Sequence, residues 1–119
     1  MRRLLIEFGN GIDQHGQSPT DAAMRAIKDA ISWNYLVGLR ELLALDDVDK
    51  MVVRVTIATP YPERVDREAL AGALPHGQKQ IEVVPGGMLY HSGHASPRLG
   101  DKNDEVIVAN AAIEVGVAD

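Results

Sequence analysis

Two short stretches hold most of the residues able to do chemistry. The first is Gly9-Asn10-Gly11-Ile12-Asp13-Gln14-His15-Gly16-Gln17. Asp13 and His15 flank a single residue, so an extended backbone would point both side chains the same way. A carboxylate oxygen and a neutral imidazole nitrogen suit a divalent metal ion. The same pair suits acid–base work on a small polar or phosphorylated molecule. A catalytic zinc takes about three protein ligands plus an open position, so a further ligand has to come from elsewhere in the chain. The amides of Gly9, Asn10 and Gly11 precede a helix start and are expected to face an anion, with Gly16 and Gln17 closing the loop. The dinucleotide fingerprint G-x-G-x-x-G is absent, because Gln14 stands where its last glycine belongs. The alternative reading is structural: Asp13 bonds loop amides and His15 fills a turn.

The second stretch is His91-Ser92-Gly93-His94, just after Gly86-Gly87. His91 and His94 are candidates to complete a metal site with Asp13 and His15, and Gly86 and Gly87 are candidates for a ligand-binding turn. The spacing of the two imidazoles suits a helix whereas the glycines argue for a loop, so exposed loop histidines are the plain alternative. His76, between Pro75 and Gly77, reads as a turn residue. Ser92 has no nucleophile context, and Asp101, Lys102 and Asp104 read as a solvated loop.

These residues must be positioned by the elements around them. Residues 2–8 read as a strand with Leu4, Ile6 and Phe8 on one face and Arg3, Leu5 and Glu7 on the other, ended by the glycine motif. Ser18-Pro19-Thr20-Asp21 opens a helix over 19–33: Ser18 caps, Pro19 suits the first helical position, and Asp21 can return the capping bond. Ala23, Ala26, Ile27, Ala30 and Ile31 form its apolar stripe, and the small alanines predict close contact with a sheet. A short helix over 38–45 and a polar loop over 46–49 follow. Met51 to Ala58 alternates as a β-branched strand, Asp66 caps a helix over 66–73, and 79–84 forms a third strand. Met88 to His91 reads as a short strand, and 92–103 as a loop long enough to be a lid or binding loop. Glu105 to Val117 fits a helix in part, but strict alternation from Ile107 to Val117 favours a long strand.

The order β-α-β-α-β-β predicts one α+β domain over 1–119, a two-layer sandwich of one mixed sheet with helices on one face. The other face is expected to carry Leu5, Val52, Val83, Val106 and Val108 beside Arg3, Arg54 and Glu114. That is too apolar for water, and a homo-oligomer with Val52 and Arg54 in or near the contact is the expected remedy.

Composition narrows the function. A chain of 119 residues is long enough to bury roughly two-thirds of its unfolded surface. Aromatic residues make up only 4%, so Val, Ile, Leu and Ala must build the core. A formal charge of −5 leaves no basic surplus for a phosphate backbone, which argues against nucleic acid as a partner. The run Leu4-Leu5-Ile6 is too short for a membrane span. With no cysteine there is no disulfide, thiolate metal site or cysteine nucleophile, which fits the cytoplasm.

The stretch Gly9 to Gly16 resembles the GxGxDxHG motif of a small family of uncharacterised bacterial and plant proteins. Every fixed position matches: Gly9, Gly11, Asp13, His15 and Gly16. The resemblance runs on through Ala58–Pro60, Leu74-Pro75-His76-Gly77, Gly86-Gly87 and the closing Val-rich run. It implies a family and brings no established activity. A local resemblance of Gly11, Asp13 and His15 to the G-x-D-x-H segment of methylerythritol cyclodiphosphate synthase is weaker. It implies a metal site in an oligomeric α+β protein and not that enzyme's reaction, since its further metal histidine and its cytidine-binding region have no counterpart here.

Overall fold

The computed structural model describes residues 1–119. Its elements are β1 (Arg2–Asp13), α1 (Pro19–Ile31), α2 (Val37–Glu41), β2 (Met51–Thr59), α3 (Arg67–Gly72), β3 (Gln78–Pro85), β4 (Met88–His91) and β5 (Glu105–Val117). They form a two-layer α+β sandwich of one mixed sheet with the helices on one face, as the order of elements predicts.

The sheet runs β1-β5-β2-β3. β5 is antiparallel to β1 and β2, while β2-α3-β3 is a parallel crossover unit. β4 pairs with the first half of β5, with Met88 opposite Val108 and Tyr90 opposite Val106, so it lies in line with β2 beyond its end at Thr59. The Gly86-Gly87 turn makes that change of place possible. Gly87 has φ +66, and a Cβ on it would come 2.1 Å from the Val108 carbonyl oxygen, a conformation and an approach open only to glycine.

α1 lies over β1 and β5, with α3 beside it over β3. Its cap is as expected, the Ser18 Oγ accepting from the Asp21 amide at 3.1 Å. The reciprocal bond comes from elsewhere: the Ser18 amide donates to Asp13 Oδ2 at 2.7 Å, and Asp21 does not take part in it. Ala22, Ala23, Ala26, Ile27 and Ala30 press onto Val53, Val55, Ile57, Ile107, Ala109 and Ile113, all buried. Each large aliphatic side chain among these contributes roughly 1.5–3 kcal/mol by leaving water.

β1 departs most from the expectation. The glycine motif does not end the strand at residue 8; the strand runs through it to Asp13. Gly9 and Gly11 face α1, where an added Cβ would lie 2.3 Å from the Ala26 carbonyl oxygen and 1.9 Å from that of Ala22. The missing side chains let helix and sheet backbones touch. Because the strand alternates, this sets the faces of all its neighbours. Leu5 packs on the core and Glu7 and Asp13 are buried, while Ile6, Phe8 and Ile12 are turned outward at 47%, 73% and 46% exposure. The expected assignment of Leu5 to the outer face and of Ile6 and Phe8 to the covered face is therefore reversed. A register shift between Arg3 and Leu5 marks where the pairing adjusts. Val83 also belongs inside, opposite Ile57. Val52 is only 6% exposed within the single chain.

Candidate functional site

The end of β1, the turn before α1 and the long loop between β4 and β5 meet at one corner of the sheet. Asp13 sits beneath the N-terminus of α1. One carboxylate oxygen accepts the Ser18 amide and the other accepts Arg25 Nη1 at 3.1 Å, while the same Nη1 also donates to the Ile12 carbonyl at 2.7 Å. A buried carboxylate at a helix N-terminus is stabilised by the helix amides and dipole, so Asp13 locks the strand to the helix.

His15 turns to a different partner. Its Nδ1 lies 2.7 Å from Asp101 Oδ1, across 86 residues of sequence. The Asp101 side chain is 4% exposed and that of His15 is 42% exposed. Asp101 Oδ2 accepts the Ser96 amide at 2.8 Å, and Gln17 Nε2 donates to Oδ1 at 3.2 Å. The Ser96 amide holds the Asp101 carboxyl below its ordinary range, aided by His15 and Gln17 and opposed by burial. A carboxylate on Nδ1 places the ring proton there and leaves Nε2 as the basic nitrogen. Gln17 also donates to the Glu105 carbonyl and accepts the Lys102 amide at 2.9 Å, so it staples the loop to the motif.

A parallel pair stands at the end of β4. His91 Nδ1 lies 3.0 Å from Asp104 Oδ1, and Asp104 Oδ2 accepts the Gly93 amide. The hydrogen bond that His91 donates to Asp104 raises the His91 pKa, and the same bond lowers that of Asp104.

Beside the His15–Asp101 pair a cleft of about 450 Å³ opens on the outer face of the sheet, and neither His91 nor Asp104 lines it. Ile12, Met88, Tyr90, Val106 and Val108 form its floor; Gln14, His15, Ser92, His94, Ser96 and Asp101 form its polar side. The structure thus brings His15 and His94 to one cavity. Asp13 is not among its lining residues, and Gly86 and Gly87 serve the strand crossover. The amides of Gly9 to Gly11 run in the ladder beside Ala111 to Ala109, and the Asn10 amide donates to Asp29 Oδ2 at 3.0 Å. They are engaged within the protein and do not form the expected anion cradle.

The donor set does not fit a metal ion. No three His, Asp or Glu side chains come together in a way that could hold one. Both Asp13 oxygens are committed to Ser18 and Arg25, and His15 and His91 pair with separate carboxylates, Asp101 and Asp104, instead of converging on one. Asp13 and His15, adjacent in spacing, are separated in task. Asp101 and Asp104, expected as solvated loop, instead pair with His15 and His91. No local pattern marks them, since each acquires its role only when the loop folds back.

No helix is long and apolar enough to cross a membrane. No curated protein matches the chain. The structure is similar to the crystal structure of an FtsZ-like protein of unknown function from Nostoc punctiforme, with a TM-score of 0.91 and 46% identity over 99% of this chain and 97% of that one. The model of a conserved hypothetical protein family, Lin0512_fam, matches residues 3–115. The chain therefore belongs to the Lin0512 family of conserved hypothetical proteins.

Proposed function

We propose that the cleft is a small-molecule site in which His15 acts as an acid–base group oriented by Asp101, in a protein of the cytoplasm. The observation that carries this reading is the 2.7 Å contact of His15 Nδ1 with a nearly buried, fully bonded carboxylate. That carboxylate fixes the orientation of a half-exposed imidazole over the cavity and prepares Nε2 to accept or return a proton. His15 is the candidate catalytic residue; Asp101 is a positioning residue and Gln17 steadies it. The apolar floor under Tyr90 and Met88 suits the body of a small polar molecule. No Lys or Arg lines the cleft, so a neutral or singly charged ligand fits better than a phosphorylated one.

The test combines spectroscopy with a substrate screen. Long-range ¹⁵N–¹H correlation should report His15 with its proton on Nδ1, and Asp101→Asn should disturb that tautomer. Turnover found in a screen of small esters, amides and hydroxy acids should vanish in His15→Gln and fall in kcat, with KM retained, in Asp101→Asn. Full activity in His15→Gln would refute the reading.

A second reading, a non-catalytic assembly protein, is favoured by the exposed apolar outer face. It predicts that the screen finds no turnover and that His15→Gln leaves the mass and stability of the assembly unchanged.

A further inference from the structure

The outer sheet face is not finished as a water-facing surface. Ile6, Phe8, Met88 and Tyr90 are 47%, 73%, 56% and 58% exposed, on strands flanking β5. The chain is also more extended than its length requires. Its radius of gyration is 15.9 Å, against about 13.5 Å for a compact chain of this length. It exposes 7152 Å², whereas a compact monomer of this mass exposes about 6,300 Å². The excess over the whole chain is about 800 Å², as much as one partner buries in a standard interface, and the apolar outer face contributes to it. The ionic groups of the face answer one another, Glu114 bonding Arg3 at 2.8 Å and Arg54 at 3.3 Å, and Asn110 donating to Asn10 at 2.6 Å. These polar groups of the face are thus already paired within it and do not reach out to a strongly charged partner. It is suited to its own copy.

We infer that a second copy of this chain seats on the outer face of β1, β4 and β5 and roofs the His15 cleft, so that the site is completed between two copies. Ile12, Met88 and Tyr90 belong both to the apolar face and to the cleft floor. A partner covering the first must close the open side of the second. Closure excludes water and strengthens the electrostatics around Nε2. This inference rests on the acid–base reading for the meaning of the closed cleft, and on the face alone for the assembly.

The test uses the full chain. Light scattering at micromolar concentration should give twice 12.9 kDa or a larger multiple. Phe8→Glu and Ile6→Lys, two exposed positions outside the cleft lining, should each return the mass to 12.9 kDa with the far-UV circular dichroism of the wild type. Diethyl pyrocarbonate should modify His15, relative to the exposed His76, more slowly in the assembly than in the monomeric variants. A wild type at the single-chain mass would overturn the inference. So would assembly that survives both variants but is lost in Trp33→Glu, or a His15 equally reactive in both states. Mass and labelling read the roof without a substrate, whereas turnover in His15→Gln reads the chemistry, so either can fail alone.

Discussion

Replacing Gly11 by alanine tests the central claim about the motif, that its glycines serve the contact between β1 and α1. The new Cβ would stand 1.9 Å from the Ala22 carbonyl oxygen and 2.4 Å from the Ala26 amide nitrogen, where ordinary contact begins at 3.4 Å. Both obstacles are helix backbone, so no side chain can swing aside, and α1 must retreat by about 1.5 Å in a close-packed layer. That retreat loosens Ala22, Ala26 and Ile27 over Ala109 and Ile113 and forfeits part of their dispersion contacts. Overpacking of a core costs about 1–3 kcal/mol, and obstruction by backbone belongs at the upper end, so Gly11→Ala should cost about 3 kcal/mol. For a chain whose whole stability is on the order of 6–18 kcal/mol, the variant still folds. In urea titrations with m near 2 kcal/mol/M, the midpoint should fall by about 1.5 M with m unchanged. Gly9→Ala, with a nearest approach of 2.3 Å, should cost less. The double variant should cost less than the sum, because one outward movement of the helix relieves both clashes. Gly72→Ala is the control: nothing lies within 4 Å of its added Cβ, and it should be neutral or stabilising by about 0.5 kcal/mol. If Gly11→Ala behaved like Gly72→Ala, the motif would not be a packing device.

Ser18→Ala should lower stability by about 1 kcal/mol in the same assay, the usual cost of a lost N-cap. Glu7 is buried beside Asn34, and burial pushes its carboxyl above 4.5, opposed by the hydrogen bond from Asn34. The folded state then holds the proton more tightly than the unfolded one, so ionisation lowers stability as pH rises from 4.5 through the raised value. Glu7→Gln should therefore raise Tm at pH 7 and give no gain near pH 3. The His91–Asp104 pair follows the same sign at its upper limit. With the His91 pKa raised above 6.5, its contribution is complete below 6.5 and is lost as pH rises through the raised folded value. With the Asp104 pKa lowered, its contribution is present above 3.8 and is lost as pH falls through the lowered folded value. Hydrogen exchange at Gly93, corrected for intrinsic rate, should show protection that fades at both limits, and His91→Gln should remove the upper one.

Much of this protein is legible from the sequence because the signals are local. The caps at Ser18 and Asp66, the alanine stripe of α1 and the alternation of β2 and β5 each arise from hydrogen bonds and side-chain periods within a few residues. The layer architecture follows from their order. Tertiary structure decided what depends on contacts between distant segments. Gly9 and Gly11 carry no hydrophobic signal, so their place inside a strand, and with it the outward turn of Ile6 and Phe8, emerges only when α1 lies across them. Asp13 and His15 are neighbours by spacing, yet the helix N-terminus takes one and Asp101, 86 residues on, takes the other. A carboxylate in a polar loop looks the same in sequence whether it faces water or an imidazole. Its environment is created by the fold that closes over it.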